Sequence, residues 1–355
     1  MSTLRVTAET LTIHRHPGAD ALELAQVGLY RAVVAKGAYR TGDSAVYIPE
    51  QAILPAALIE ELGLTGRLAG GRQDRVKAVR LRGELSQGIV CRPAALADVD
   101  LARAAREGTD FAERLGITKW VPPIPPTMSG DAEAAPDLLP WVDIENIQRY
   151  PDIFAPGEPV VVTEKLHGSA CLMTYVAGSG RVHVSSKGFG AKSLALREDP
   201  RNLYWRAVHG HGVAAVAAKL AERLGARRVG LFGEVYGDGV QDLSYGADGR
   251  RDTLGYAVFD VSAEIDGHVR WLDATRLLDG ELPLVPRLYE GPYDAGRVLE
   301  LASGRETVSG RELHLREGVV IRPAVERYSP VTGGRAIAKA VSTAYLTRKG
   351  GTEYE

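Results

Sequence analysis

Cysteine is nearly absent from this sequence. Cys91 and Cys171 are the only two in 355 residues, and neither sits in a metal-ligand spacing. That argues against a disulfide framework and against a cysteine-built zinc site. Long apolar runs are missing too. Nothing reaches membrane-spanning length, and the start, Met1-Ser2-Thr3-Leu4-Arg5, lacks the basic-then-apolar order of an export signal. A cytoplasmic protein without a membrane partner is the expectation. No sign of charge dominates either: 43 Lys and Arg face 45 Asp and Glu, for a formal net charge of −2. This excludes a polycationic scaffold while leaving room for a local basic groove.

Lysine is scarce, at nine against 34 arginines. Where arginine is the habitual cation, a lysine inside an apolar strand needs a reason. A guanidinium cannot give up its proton in a protein, whereas a lysine amine can become a nucleophile. With 45% hydrophobic and 25% charged residues, the chain can bury an ordinary core. Its length suggests about two domains.

Residues 4–98 read as short strands split by turns. Leu11–Ile13, Leu22–Val27, Tyr30–Val34 and Ser44–Ile48 are followed by a helical stretch at Pro55–Leu68 and a strand pair at Arg75–Leu81 and Gln87–Arg92. Strands recurring about every ten residues suggest a small barrel. The run Val121-Pro122-Pro123-Ile124-Pro125-Pro126 can be neither helix nor central strand, so residues 121–140 read as a linker. A larger α+β domain follows. Its strand candidates are Pro159–Thr163, Arg181–Ser185, Arg228–Tyr236, Leu254–Val261, Gly318–Ile321 and Arg335–Val341. Leu203–Leu224 reads as one long helix closed by Gly225.

Lysines and carboxylates gather at the ends of these strands. Lys165 closes Val160-Val161-Val162-Thr163-Glu164-Lys165-Leu166-His167-Gly168, where Gly168 would let a ligand approach. Lys187 follows Val182–Ser186. Glu234 lies between Phe232 and Tyr236, and Phe259-Asp260 interrupts an apolar strand. Glu317 opens Gly318–Arg322. In Ala336–Val341, period-two alternation puts Lys339 on the face of Ile337 and Val341, where a lysine is costly unless its charge is used. Singly, each has a plain alternative: a surface lysine or carboxylate at a strand end, or an edge lysine reaching to water.

The order K-x-x-G, S-K-G, F-G-E-x-Y-G, Y-x-x-F-D, E-G-V-V-I and a final lysine strand resembles the motif series of covalent nucleotidyltransferases: RNA ligases, DNA ligases and messenger-RNA capping enzymes. The T-E-K-L-H-G form, F-G-E-V-Y-G and the preceding Trp141-Val142-Asp143-Ile144-Glu145-Asn146-Ile147 resemble RNA ligases in particular. The resemblance implies that Lys165 attacks the α-phosphate of ATP and becomes a lysyl-adenylate, which passes to an RNA 5′-phosphate before a 3′-hydroxyl displaces AMP. The amine must be uncharged to attack, and burial with nearby positive charge, from Lys339 and a Mg2+ or Mn2+ ion, is expected to hold it so. Glu317 is implied as the metal-binding carboxylate and Glu234 as the ribose contact. Phe259 is implied as the ring against the base, Lys187 as a ribose or phosphate contact, and Glu164 and Leu166 as backbone groups at the adenine edge. His167 is expected to be structural. One departure is visible: the family's last motif often holds two lysines spaced K-x-K, and here Lys339 stands alone.

DNA ligases and capping enzymes carry an OB domain after the final lysine motif, and only about sixteen residues follow Lys339. The barrel-like region comes first, an order that resembles the Deinococcus-type RNA ligases. The fold implied is α+β: an N-terminal OB-like β-barrel (residues 1–120), a linker (121–140) and an ATP-grasp-like nucleotidyltransferase domain of antiparallel sheets and helices (141–355). Arg31, Lys36, Arg40 and Tyr47 are candidate RNA contacts on the barrel. The expected partner is RNA, as a nicked duplex or as free 3′-hydroxyl and 5′-phosphate ends, acted on by a monomer. The competing readings are a DNA ligase or capping-type guanylyltransferase, and an RNA-binding protein that has lost catalysis. Retention of Lys165, Glu234, Glu317 and Lys339 speaks against the last.

Overall fold

A computed structural model describes residues 4–141, 143–247, 254–278 and 280–351. Met1–Thr3 of the start and Val142 of the Trp141–Ile147 segment lie outside the described residues. The chain divides into two units: Ser2–Val121 with Asn146–Pro151, and Pro122–Glu145 with Asp152–Glu355.

In the first unit, Thr7–Thr10 pairs antiparallel with Ser44–Ile48, which pairs with Ile89–Cys91. Thr12–Arg15, Leu22–Val27 and Tyr30–Ala35 form a meander beside this set. Alternation drives both. Tyr30, Ala32 and Val34 point inward with Val27 and Tyr47, while Arg31 and Ala35 face out. The strands register as two three-stranded sheets, and no closed barrel runs through the described residues. The expected helix at Pro55–Leu68 contracts to Ala56–Glu61. A further helix, Leu101–Glu107, starts where the Asp100 side chain accepts from Arg103 N–H and stops at Gly108, whose φ of 64° is left-handed.

The second unit carries two large antiparallel sheets. In the seven-stranded one the order is Ala132–Ala134, Leu194–Leu196, Arg181–Ser186, Ser169–Val176, Arg228–Tyr236, Gly255–Ile265 and His268–Leu272. One face, with Cys171, Met173, Leu231, Val235 and Tyr256, is buried under helices that contribute Tyr204, Ala217 and Leu220. Leu220 and Leu231 are essentially inaccessible, and burial of each contributes about 2 kcal/mol. The core of the other sheet runs Ala338–Val341, Gly318–Pro323, Pro159–Lys165, Arg287–Pro292.

One expectation is corrected here. The Leu203–Leu224 helix is two helices, Leu203–Gly210 and Val213–Leu224, because the chain turns at Gly212, whose φ is 63°. The 121–140 segment, read as a linker, is extended but docked, and from Pro122 onward it belongs to the second unit. Met128 and Leu139 are buried, and Ala132–Ala134 adds an edge strand against Leu194–Leu196. The prolines keep the segment extended, and its few apolar side chains dock it.

Candidate active site

The second sheet places its chemistry by register. Lys165 is opposite Gly318, which is opposite Val341; Thr163 is opposite Val320, which is opposite Lys339. Directly opposed residues share a face, so Lys165 and Lys339 emerge on the same side, two strands apart. Gly318 has to be glycine because a Cβ there would sit 2.1 Å from the Ala340 carbonyl oxygen of the Lys339 strand. Just before it, Glu317 accepts from Lys165 Nζ at 2.7 Å through Oε1. Its other oxygen, Oε2, is buried without a hydrogen-bond partner.

Glu164 faces the opposite way. Its side chain is buried, its Oε2 accepts from Thr307 N–H and Oγ1 at 2.9 and 2.6 Å, and Arg316 lies 3.5 Å away. The Glu164 amide is committed to Pro286 O at 2.8 Å. The Glu164 N–H therefore already has a partner within the protein. The Leu166 side chain enters a small core with Leu243, Tyr245 and Tyr345.

Glu234 comes from the seven-stranded sheet, and Gly168 N–H donates to its Oε1 at 3.0 Å. Gly168 is also a point of close backbone approach. A Cβ there would lie 2.1 Å from Val235 O, so the glycine permits the Lys165 turn to pass tightly over the Glu234 strand. Burial pushes the Glu234 carboxyl up to about 7, against the pull of the Lys165 charge.

The charges of the protein's own groups set the two lysines apart. Burial alone would lower the Lys165 pKa, but the charges of Glu317, Glu234 and Asp143, with the Glu317 hydrogen bond, outweigh it and leave the pKa raised. Lys339 is the lysine whose pKa is depressed, by burial and by Lys187 and Lys165, although Asp143 opposes. The protein's own carboxylates thus hold the nucleophile candidate charged.

Lys187 starts a short helical turn capped by Ser186, and its Nζ lies 3.2 Å from Asp143 Oδ1. Lys339 Nζ approaches the same oxygen at 3.9 Å. Phe259 is the extra residue of a β-bulge. Phe232 pairs with Asp260 and Gly233 with Val258, so Phe259 has no partner across the strand. Its ring meets Trp141 edge-on at 5.1 Å. Trp141 donates to Asp260, which also binds Arg335 and Arg322, and Arg322 holds the Phe259 carbonyl at 2.8 Å. His167 is fixed at both ring nitrogens, by Asp242 at 2.7 Å and by the Tyr345 hydroxyl at 2.8 Å.

Lys165, Glu317, Glu234, Lys187 and Lys339 are therefore linked through direct contacts or close charges in one unit. Sequence reasoning assigned no role to Asp143, Arg316, Arg322 or Arg335. Asp143 falls inside the Trp141–Ile147 segment, but nothing local there marks it as a lysine partner. Of the candidate RNA contacts in the first unit, Arg31, Lys36 and Arg40 are exposed, whereas Tyr47 is buried under Arg149. Among the described residues no group of three or more His, Cys, Asp or Glu could hold a metal ion. A cation bound through nucleotide phosphates and water needs few protein oxygens, and the unsatisfied Glu317 Oε2 is suited to supply one.

An RNA ligase family model matches residues 158–341, more than half of the chain, including Lys165, Lys187, Glu234, Glu317 and Lys339. The chain belongs to the RNA ligase family. An OB-fold domain model matches residues 4–93, ahead of the ligase match. No curated protein is matched by sequence. Among solved structures, the ligase is similar to Naegleria gruberi RNA ligase. An apo variant of that enzyme is 25% identical, with a TM-score of 0.77 over 97% of this chain and 98% of the other. A variant solved with ATP and Mn is 25% identical, with a TM-score of 0.76 over 96% and 98%. Another, with AMP and Mn, is 24% identical, with a TM-score of 0.76 over 96% and 97%.

Proposed function

We propose that this ligase joins RNA 3′-hydroxyl and 5′-phosphate ends at the expense of ATP, through adenylation of Lys165. The observation that carries the reading is the meeting of Lys165, Glu317 and Glu234 from two sheets, with Lys339 and Lys187 close by. What supports ATP and a divalent ion is the Naegleria gruberi enzyme, solved with ATP and Mn. Lys165 Nζ attacks the α-phosphorus, the bond to the β-phosphate oxygen breaks, and pyrophosphate departs while the amine loses its proton. An oxygen of the RNA 5′-phosphate then attacks the adenylate phosphorus and frees the Lys165 amine. A 3′-hydroxyl attacks the activated 5′-phosphate, and AMP leaves. These transfers call for positioning and charge neutralisation more than for a chain of acids and bases.

A bound Mg2+ or Mn2+ would neutralise phosphate charge, and Glu317 Oε2 would hold it. Held by Glu317, such an ion would offset the negative charge that keeps Lys165 protonated. Glu234 would receive the ribose, Phe259 would lie along the base, and Lys339 with Lys187 would meet the phosphates. Glu164 contributes through its side chain, clamping the strand behind the nucleophile. The OB-fold segment within residues 1–120 would hold RNA and residues 141–355 the nucleotide. We favour a cytoplasmic monomer sealing nicks in duplex RNA; no helix among the described residues is long and apolar enough to cross a membrane.

Radiolabelled ATP with manganese tests the reading. Wild type is expected to take up covalent AMP and to seal a nicked RNA duplex faster than a nicked DNA duplex. A wild-type protein that stays unlabelled under broad conditions overturns it.

A further inference from the structure

The first unit concentrates positive charge in one stretch. Between Arg67 and Arg92 there are 7 Lys and Arg against 2 Asp and Glu, in a chain whose net charge is −2. The stretch includes a hairpin in which Val79–Leu81 pairs with Glu84–Ser86. We infer that this hairpin, through Arg80 and Arg82, holds the sugar-phosphate backbone of duplex RNA. This rests on the RNA substrate proposed above and names the surface that meets it.

The hairpin is fixed at both ends. At its root, Val33 N–H donates to Ser86 Oγ at 2.9 Å, and Gln87 N–H donates to Arg31 O at 2.8 Å. At its tip, the buried His16 ring donates from Nε2 to Leu81 O at 3.2 Å and accepts at Nδ1 from Gly18 N–H at 3.0 Å. Val79 and Leu81 are nonetheless 42% and 41% exposed, and Arg80 and Arg82 are exposed beside them. The connecting residues are Arg82 and Gly83, both at positive φ, 50° and 96°. Asparagine or glycine suits the first of these positions, and an arginine there is strained. The turn itself does not ask for arginine; a phosphate to be bound does.

Five cations, Arg15, Arg31, Lys36, Arg80 and Arg82, lie on the hairpin and on residues 12–36 that carry it, with three carboxylates, Asp20, Glu23 and Glu84. Glu23 already accepts from Gly37 N–H at 2.9 Å, so positive charge is in surplus. The rings of this unit favour backbone over base recognition. Tyr30, Tyr47 and Phe111 are buried. Trp120 lies under the Arg75 guanidinium at 3.9 Å, Tyr39 under Arg92 at 5.3 Å and Tyr150 under Arg149 at 5.6 Å. Among the described residues of the unit, no exposed ring offers a platform for an unpaired base. Arginines beside short aliphatic side chains match phosphates and riboses, which a duplex presents with its bases paired.

The test measures binding of a nicked RNA duplex by the full-length protein without ATP, between about 50 and 200 mM salt. Arg80→Ala with Arg82→Ala should weaken binding roughly tenfold at the lower salt and reduce the slope of log affinity against log salt by about two. Arg82→Asn should reduce that slope by about one while melting no lower than wild type, because the turn is relieved. Arg80→Lys with Arg82→Lys should keep most of the affinity, and Arg103→Ala, on the helix Leu101–Glu107, should bind like wild type. Wild-type affinity and slope in the double alanine variant overturn the inference. So does an equal loss of AMP uptake measured without RNA, which marks general damage. Tighter binding of an unpaired strand than of the duplex, with little salt dependence, also overturns it. AMP uptake by wild type without RNA checks the adenylation reading by itself, so the two can fail separately.

Discussion

Lys165 Nζ and Glu317 Oε1 lie 2.7 Å apart, and this contact joins the end of one strand to the residue that opens its neighbour. The pair explains why the last residue of an apolar strand is a lysine. Its charge is matched in the resting chain, and anything that engages Glu317 elsewhere changes the amine's protonation. Glu317→Gln should fold normally and lower AMP uptake on the order of 10²-fold. Uptake measured alongside a melting curve checks this; a variant that adenylates like wild type would remove Glu317 from the reaction.

Glu234 ties stability to pH. Its folded pKa is about 7, against an ordinary 4.5. Between those values the folded chain keeps a proton that the unfolded chain has released. Stability from this group is therefore complete below pH 4.5 and falls as pH rises to 7. The side chain is half-buried, so the fall is on the order of 2 kcal/mol after screening. Glu234→Gln should lose this decline, and melting wild type and variant without nucleotide at pH 5 and pH 8 compares the two. Parallel pH profiles would contradict the assignment.

Behind the nucleophile, Arg316 and Glu164 form a buried pair at 3.5 Å. Arg316→Ala leaves a buried carboxylate without its cation and should cost about 3 kcal/mol. The double substitution Glu164→Gln with Arg316→Met should cost less than the single one. Urea titrations of the three proteins decide; a double variant less stable than Arg316→Ala goes against the clamp.

The Lys165 turn tolerates no side chain at Gly168. Its Cβ would meet backbone at 2.1 Å, which no rotamer change relieves. Gly168→Ala should destabilise the chain by about 3 kcal/mol and also loosen Glu234, whose Oε1 accepts from that amide. Unchanged thermal stability would show that the turn has another way over the strand.

Much of this was legible in the chain itself. The strand Arg228–Tyr236 was bounded correctly by its apolar run, and Lys165, Glu234 and Glu317 stand at strand ends because alternation and glycine placement require it. What escaped depends on distance in sequence. The bulge that frees Phe259 arises from pairing between strands, which no local pattern records. The break at Gly212 is hidden because apolar spacing continues on both sides. The balance of protein charges around Lys165 is not legible either, since residue types do not tell which ions lie nearest. Three carboxylates do, and they outweigh the lysines. Asp143 is invisible for the same reason: its lysine partners lie far along the chain.

The central claim is most directly tested by locating the nucleotide. Purified ligase incubated with ATP and manganese, digested and mapped by mass spectrometry, should carry AMP on the peptide containing Lys165 and on no other. Lys165→Ala should carry none while remaining folded. Adenylate on another residue, or its persistence in Lys165→Ala, contradicts the account.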